Sequence, residues 1–292
     1  LNSNNQIISI SNLIGAYKSA VKKHCNNFNI ELYPIAHGKT IDINMLKNKK
    51  IIMCDYSPPI DILKQIEQDA QSITILDHHI TAQNALETKP YALFDMSKSG
   101  AGLTWEWFYP ETPMPKFIQM IQDRDLWKWE IPESKEFTAG LATMCATIDS
   151  TNFPALFDIF TQMHSEPAKV QFYKDLGKIM CTITDNKAKA LGDDHMNTIS
   201  NFIFENKTYR VCVVNCFPDI TSEVGNYISK FEQIDFAVLW RHHNPSGDFY
   251  VSLRSTGNIN VSTIAKAFGG GGHPNAAGFN TKVFPPTLFT TI

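Results

Sequence analysis

Asp77, His78 and His79 stand side by side directly after Ile73, Thr74, Ile75 and Leu76. One carboxylate and two imidazoles suit a divalent ion such as Mn²⁺ or Zn²⁺. The apolar residues before them read as a buried strand of a parallel sheet. In such sheets ligands sit outside the carboxyl ends of the strands, where these three side chains fall. The same pattern also describes a surface turn with two solvated histidines. Asp55 follows another strand-like stretch, residues 49–54 with apolar 51–54, and Ser57, Pro58 and Pro59 break the chain after it. Strands alternating with helices at this spacing run parallel, so Asp55 and Asp77 end neighbouring strands on one edge of the sheet.

Gly269, Gly270, Gly271 and Gly272 run straight into His273. A lone glycine run is usually a flexible loop. It can also take positive φ and approach a ligand closely, and its N–H groups can form an anion-binding nest. Arg254 ends the strand-like residues 249–253, and its guanidinium fork suits phosphate or carboxylate. Taken with Arg254 and His273, the run reads as a phosphate or nucleotide site, its glycines kept for ligand approach and not for packing.

The elements that must position these groups follow from periodicity and breakers. Residues 6–11, 30–35 and 49–54 read as strands, with a helix after the first and another over 60–68 before the strand into Asp77. From residue 97 the chain turns helical. A helix over 115–122 is expected to end at Asp123, Arg124, Asp125, Leu126 and Trp127, and further helices cover 138–147, 152–163 and 167–186. The last continues towards residue 191 as an arm. Residues 199–204, 210–214, 236–240 and 249–253 read as strands, with helices over 222–231 and 261–268. Trp105, Trp107, Trp127 and Trp129 in the helical middle offer a partner interface. Burial between helices is the ordinary explanation for most of them.

The 292 residues fit two ordinary domains or one large one. A net charge of −3 excludes a surface that coats polyanions, so a nucleic acid would have to meet a local basic site. The six cysteines form no CxxC pair, which favours a reducing compartment: intracellular, cytoplasmic or an organelle matrix after removal of a leader. No apolar run approaches the ~20 residues of a membrane span.

A strand ending in Asp77, His78 and His79, followed far downstream by four glycines and His273, resembles the DHH phosphoesterase superfamily with a C-terminal DHHA1 domain. Asp55 looks like that family's second motif, and residues 123–127 look like its fourth. The nearest relatives resemble the nanoRNA and linear-dinucleotide phosphodiesterases. The resemblance implies an α/β chain: a parallel-sheet DHH domain with a helical insertion over 1–165, a helical connector over 166–195, and a smaller α+β DHHA1 domain over 196–292. It implies hydrolysis of a phosphodiester or phosphoanhydride with two Mn²⁺ ions, the substrate lying in the interdomain cleft. Short oligonucleotides, dinucleotides or other phosphate compounds are the implied partners, with a homodimer or larger assembly and no membrane. Asp55 would bridge the ions, and His78 and Asp123 would ligate one of them. Asp77 would orient the histidines, and His79, Arg254, Gly270, Gly271, Gly272 and His273 would face the phosphate. Asp125 is the alternative to Asp123, its ordinary reading being a solvated or Arg-paired acid.

The family's first motif is of Asp-x-Asp-Gly type. Here its place is held by Asn12, Leu13, Ile14 and Gly15. Asn12 offers a neutral oxygen and Ile14 offers nothing, whereas hard cations are held by charge and ligand count. Two function classes follow. One is a divergent phosphodiesterase with reduced activity, using one Mn²⁺ ion because the other site is lost, or two with a replacement ligand. The other is a pseudoenzyme serving as a nucleotide-binding, regulatory or assembly subunit.

Overall fold

The computed structural model describes Ile35 and residues 41–289, apart from 149–151, 197, 244 and 258. The strands expected over 6–11 and 30–35, the helix between them, and Asn12 and Ile14 lie outside the described residues, but for Ile35 itself. The chain divides into two compact units, Leu1–Met180 and Cys181–Ile292.

In the first unit β1 (Lys50–Cys54), β2 (Ser72–Asp77) and β3 (Ala92–Phe94) form a parallel sheet in that order. The apolar runs are nearly continuous because both faces are covered. Ile51 and Met53 pack with Leu63 and Ile66 of α1 (Ile60–Asp69) on one face. Cys54 and Leu76 pack with Leu103 of α3 (Gly100–Phe108) on the other. The short helix α2 (Ile80–Leu86) starts directly after His79, and neither it nor β3 was expected from the sequence.

The helical part follows with α4 (Lys116–Asp125), α5 (Ser134–Cys145), α6 (Phe153–Ser165) and α7 (Pro167–His195). Its core joins Phe117, Ile118 and Ile121 of α4 to Phe137 and Leu141 of α5, Phe160 of α6 and Tyr173 of α7. Residues 123–125 are the last turn of α4 and not the segment beyond it, a difference with consequences for the site. The 29-residue α7 runs through the stretch expected as a connector, and the division between the units falls within it.

The second unit is a mixed sheet of six strands: β4 (Ile199–Phe204), β5 (Lys207–Asn215), β6 (Phe236–His243), β7 (Asp248–Arg254), β8 (Gly271–His273) and β9 (Ala276–Thr281). Their order is β4-β5-β6-β7-β9-β8, antiparallel except for β5 against β6. That parallel pair is joined through α8 (Thr221–Ile228), whose Val224 and Ile228 pack on Cys212, Val214 and Leu239. The opposite face carries α9 (Val261–Ala267), with Ile264 and Ala265 against Phe236, Val238 and Leu253. A last short helix, α10, spans Pro285–Leu288. The α/β architecture, a parallel sheet with helices in one unit and an α+β arrangement in the other, is the one the sequence implies.

Candidate metal centre

The carboxyl ends of β1 and β2 lie beside each other because the strands pair in register from Lys50 with Ser72 to Cys54 with Leu76. Asp55 N–H extends the ladder by donating to Leu76 O at 2.8 Å. The chain then turns at Asp55 with φ +57°, in the left-handed region. Few non-glycine residues adopt that conformation outside turns or sites that demand it. It lets the side chain lie against the start of α3. There Gly100 is required, since a Cβ at that position would sit 2.4 Å from Asp55 Cβ.

Asp77, His78 and His79 follow β2. Asp77 is buried and accepts four donors: Ser57 Oγ at 2.6 Å, His78 N at 2.7 Å, His79 N at 3.3 Å and His79 Nδ1 at 2.6 Å. Burial raises its pKa, but these hydrogen bonds and the His79 charge outweigh burial and hold the carboxyl below its usual range. Ser57 was not anticipated as a site residue. Its signal was its place between Asp55 and the two prolines.

His78 Nε2 lies 3.1 Å from Asp55 Oδ1 and 3.4 Å from Asp125 Oδ2. Burial disfavours its charged form, yet the hydrogen bond to Asp55 and the charge of Asp125 raise its pKa to about 9. His79 shows the same contest, with burial opposed by Asp77, and its pKa also rises. Asp125 is pushed up to about 6, first by burial and then by the Asp55 charge. Protons gather here because anionic groups crowd a space with little water, which is also what a divalent cation relieves.

The fit to a cation rests on two observations. One ligand atom each from Asp55, His78 and His79 lies within 4.8 Å of the others. Asp125 Oδ2 is buried and has no hydrogen-bond partner among the described residues. A buried oxygen without a hydrogen bond is costly unless something else satisfies it.

Asp123 does not join this group, a correction to the expected ligand set. Its Oδ1 accepts Glu130 N–H at 2.9 Å, and its Oδ2 accepts Ile131 N–H at 3.3 Å and the Ser134 hydroxyl. Its carboxylate therefore ties the segment after α4 to the start of α5. Asp125, read from sequence as a solvated or Arg-paired acid, is the one that faces His78. The reason is helical phase: residues two apart on a helix point to nearly opposite sides.

In the second unit Arg254 is half-buried. Its guanidinium donates to Leu253 O at 3.0 Å and Ser222 Oγ at 3.2 Å. His273 is exposed at the end of β8. The glycine run is not an open nest throughout. Gly269 N–H and Gly270 N–H close the end of α9 by donating to Lys266 O and Ala265 O. Gly271 and Gly272 pair with Gly278 and Ala277 of β9. Packing requires Gly270, where a Cβ would lie 2.1 Å from Gly278 O. Of the four tryptophans, Trp105 is buried, while Trp107 and Trp127 are exposed by 42% and 44%.

Comparison with known proteins bears first on the second unit. The DHHA1 domain family model matches residues 206–285. The chain is 30% identical over 264 residues to the uncharacterized protein R106 of Acanthamoeba polyphaga mimivirus, covering 88% of this chain and 56% of that relative. The chain thus spans only about half of that relative's length. It is 22% identical over 243 residues to the 3',5'-cyclic-nucleotide phosphodiesterase of Helicobacter pylori, covering 70% of this chain and 67% of the relative. Among solved structures, an uncharacterized protein from Helicobacter pylori G27 is similar with 18% identity and a TM-score of 0.42, over 93% of this chain and 90% of that one. The order of the motifs, the parallel sheet that carries the first of them and the matched C-terminal residues lead to one conclusion: residues 206–285 match the DHHA1 domain family, and the chain as a whole resembles the DHH phosphoesterases that carry such a domain.

Proposed function

We propose that the chain is a divergent metal-dependent phosphoesterase that binds a phosphodiester or nucleotide, with hydrolysis reduced by the changed first motif. The observation that carries this reading is the meeting of Asp55, His78 and His79 beside the buried Asp125 oxygen that lacks a hydrogen bond among the described residues. Asp55, His78 and Asp125 are the proposed holders of a cation, Mn²⁺ being the choice that suits mixed carboxylate and imidazole donors. A bound divalent ion polarises a phosphoryl oxygen and offsets the charge that develops on it. His79 is fixed by Asp77 through Nδ1, which leaves Nε2 as the atom that can donate to a phosphate oxygen. In the second unit, Arg254 and His273 are the proposed phosphate-binding side chains, and Gly271 and Gly272 the backbone beside them.

The Helicobacter relative's name supports a phosphodiester of nucleotide type. Short oligonucleotides and dinucleotides fit the same chemistry. The six cysteines form no CxxC pair, a spacing that supports a reducing compartment.

Asn12 and Ile14 favour the second reading, a nucleotide-binding pseudoenzyme. One assay separates the two: Mn²⁺-dependent cleavage of dinucleotides by this chain and by an Asn12→Asp/Ile14→Asp variant. A divergent enzyme turns over slowly and gains orders of magnitude in rate with the two acids restored. A chain that is silent with or without them, yet binds the dinucleotide, is the pseudoenzyme. Failure to bind Mn²⁺ or any phosphate compound overturns both.

A further inference from the structure

Directly after Asp125 the chain does something its residue types disfavour. Trp127 and Trp129 both take left-handed backbone conformations, with φ +55° and +57°. Bulky side chains rarely adopt that region, and glycine or asparagine would do so at lower cost. Two such residues within three positions persist only where the surroundings over-determine them. Here the surroundings are visible. Lys128 N–H donates to Asp123 O, Trp127 N–H donates to Arg124 O, and the Asp123 carboxylate holds the N–H groups of Glu130 and Ile131. The clamp fixes a tight loop on the end of α4.

That loop does not use the tryptophans as core. Trp127 is 44% exposed, and its ring meets Trp129 edge-on, with centroids 4.9 Å apart and planes 69° apart. The exposed Lys128 stands between them in the chain. An aromatic face in solvent, braced by a second ring and interleaved with a cation, is the composition of a base-stacking platform. Trp127 is two residues from Asp125, so its backbone is within about 7 Å of the residue that faces His78.

We propose that Trp127, braced by Trp129, stacks against the base of a nucleotide whose phosphate meets the Asp55, His78 and Asp125 centre. This rests on the phosphate-binding reading and adds to it the part of the ligand that is recognised. Asp123 is then a positioning residue, which holds the platform and Asp125 in one frame.

The test compares AMP and GMP with ribose 5-phosphate, which has the sugar phosphate but no base. Binding is measured by calorimetry with Mn²⁺ on the full chain. The nucleotides should bind about 5- to 150-fold more tightly, the range for stacking one base on one aromatic ring. Trp127→Gly, whose backbone suits φ +55°, should fold at least as well and reduce that ratio below about twofold, while Trp127→Phe keeps most of it. A ratio unchanged in Trp127→Gly overturns the platform, as does a starting chain that binds all three compounds equally. Either result leaves phosphate binding standing. If none of the three binds, the phosphate reading and the platform both fail.

Discussion

Two places in the molecule look alike as sequence and differ as structure. Asp77 ends one strand with His78 and His79 directly after it, the end of the glycine run forms another strand with His273, and each reads as a ligand site. At the first, charged groups converge: among the described residues Asp125 Oδ2 is buried without a hydrogen bond, and His78 is held between two carboxylates. At the second, the demands are met internally. Two glycine amides close a helix, and the strand that follows pairs with β9. The first region is built for something that arrives, and most of the second is built to pack. Its ligand-facing capacity then narrows to Arg254, His273 and the backbone of Gly271 and Gly272 beside them.

The largest expected effect separates the two regions directly. Asp55→Asn removes a charge from the centre while keeping its shape. Mn²⁺ affinity measured by calorimetry should fall at least 100-fold, since even residues outside the ligand set change affinity by about 10–100-fold. Arg254→Ala should leave Mn²⁺ affinity within about twofold and weaken phosphate compounds instead. Equal metal affinity in Asp55→Asn would remove the centre from the account.

Glycine substitutions test the packing side. Gly270→Ala places a Cβ 2.1 Å from a backbone oxygen, and Gly271→Ala meets nothing within 4 Å. Thermal or denaturant unfolding should show the first destabilised by about 1–3 kcal/mol or more and the second unchanged within about 0.5 kcal/mol. The reverse order would mean that the run is a free loop.

How much of this was legible follows from which signals are local. β1, α1 and β2 were readable because apolar runs, a Pro-Pro break and a helical stretch follow one another within residues 49–77. The strand-end rule puts Asp55 and His78 at one edge of the sheet, where His78 Nε2 lies 3.1 Å from Asp55 Oδ1. The choice between Asp123 and Asp125 was not readable. It depends on helix phase and on α4 ending at Asp125, three residues beyond the expected end at Gln122. The role of Gly270 was hidden because its constraint comes from Gly278, across a strand pair that was not foreseen. Trp127 was hidden for a different reason: burial is the usual fate of tryptophan, and only the structure shows it in solvent.

The two aspartates of α4 sharpen the contrast at a smaller scale. Asp123 is saturated with donors, and among the described residues Asp125 lacks them at one buried oxygen. Asp123→Asn must place an NH₂ where N–H and O–H donors now point, so it should destabilise the chain by about 1–3 kcal/mol. Asp125→Asn removes a buried charge that crowds Asp55, so the metal-free chain should be at least as stable while Mn²⁺ binding weakens. Opposite signs in melting temperature for the two variants are the expected result, and equal losses would erase the distinction.

The smallest effect lies beside the Asp123 clamp, at Glu133. Lys174 Nζ and Lys178 Nζ each reach its carboxylate at 2.9 Å, tying the start of α5 to α7. The Lys174 hydrogen bond, then that of Lys178, holds its pKa down to about 2, below its ordinary value of 4.5. Because the folded value is depressed, the pair's contribution is complete above the unfolded value and fades as pH falls from about 4.5 towards 2. Exposure and salt screening keep it small. The melting-temperature difference between the chain and Glu133→Gln should therefore be steady near neutral pH, shrink below about 4.5 and shrink again in high salt. Glutamine keeps the same left-handed backbone at this position, φ +62°, so backbone strain cancels in the comparison. A difference that ignores both acid and salt would mean that Glu133 acts through packing alone, and that the clamped side of the site owes nothing to charge at this position.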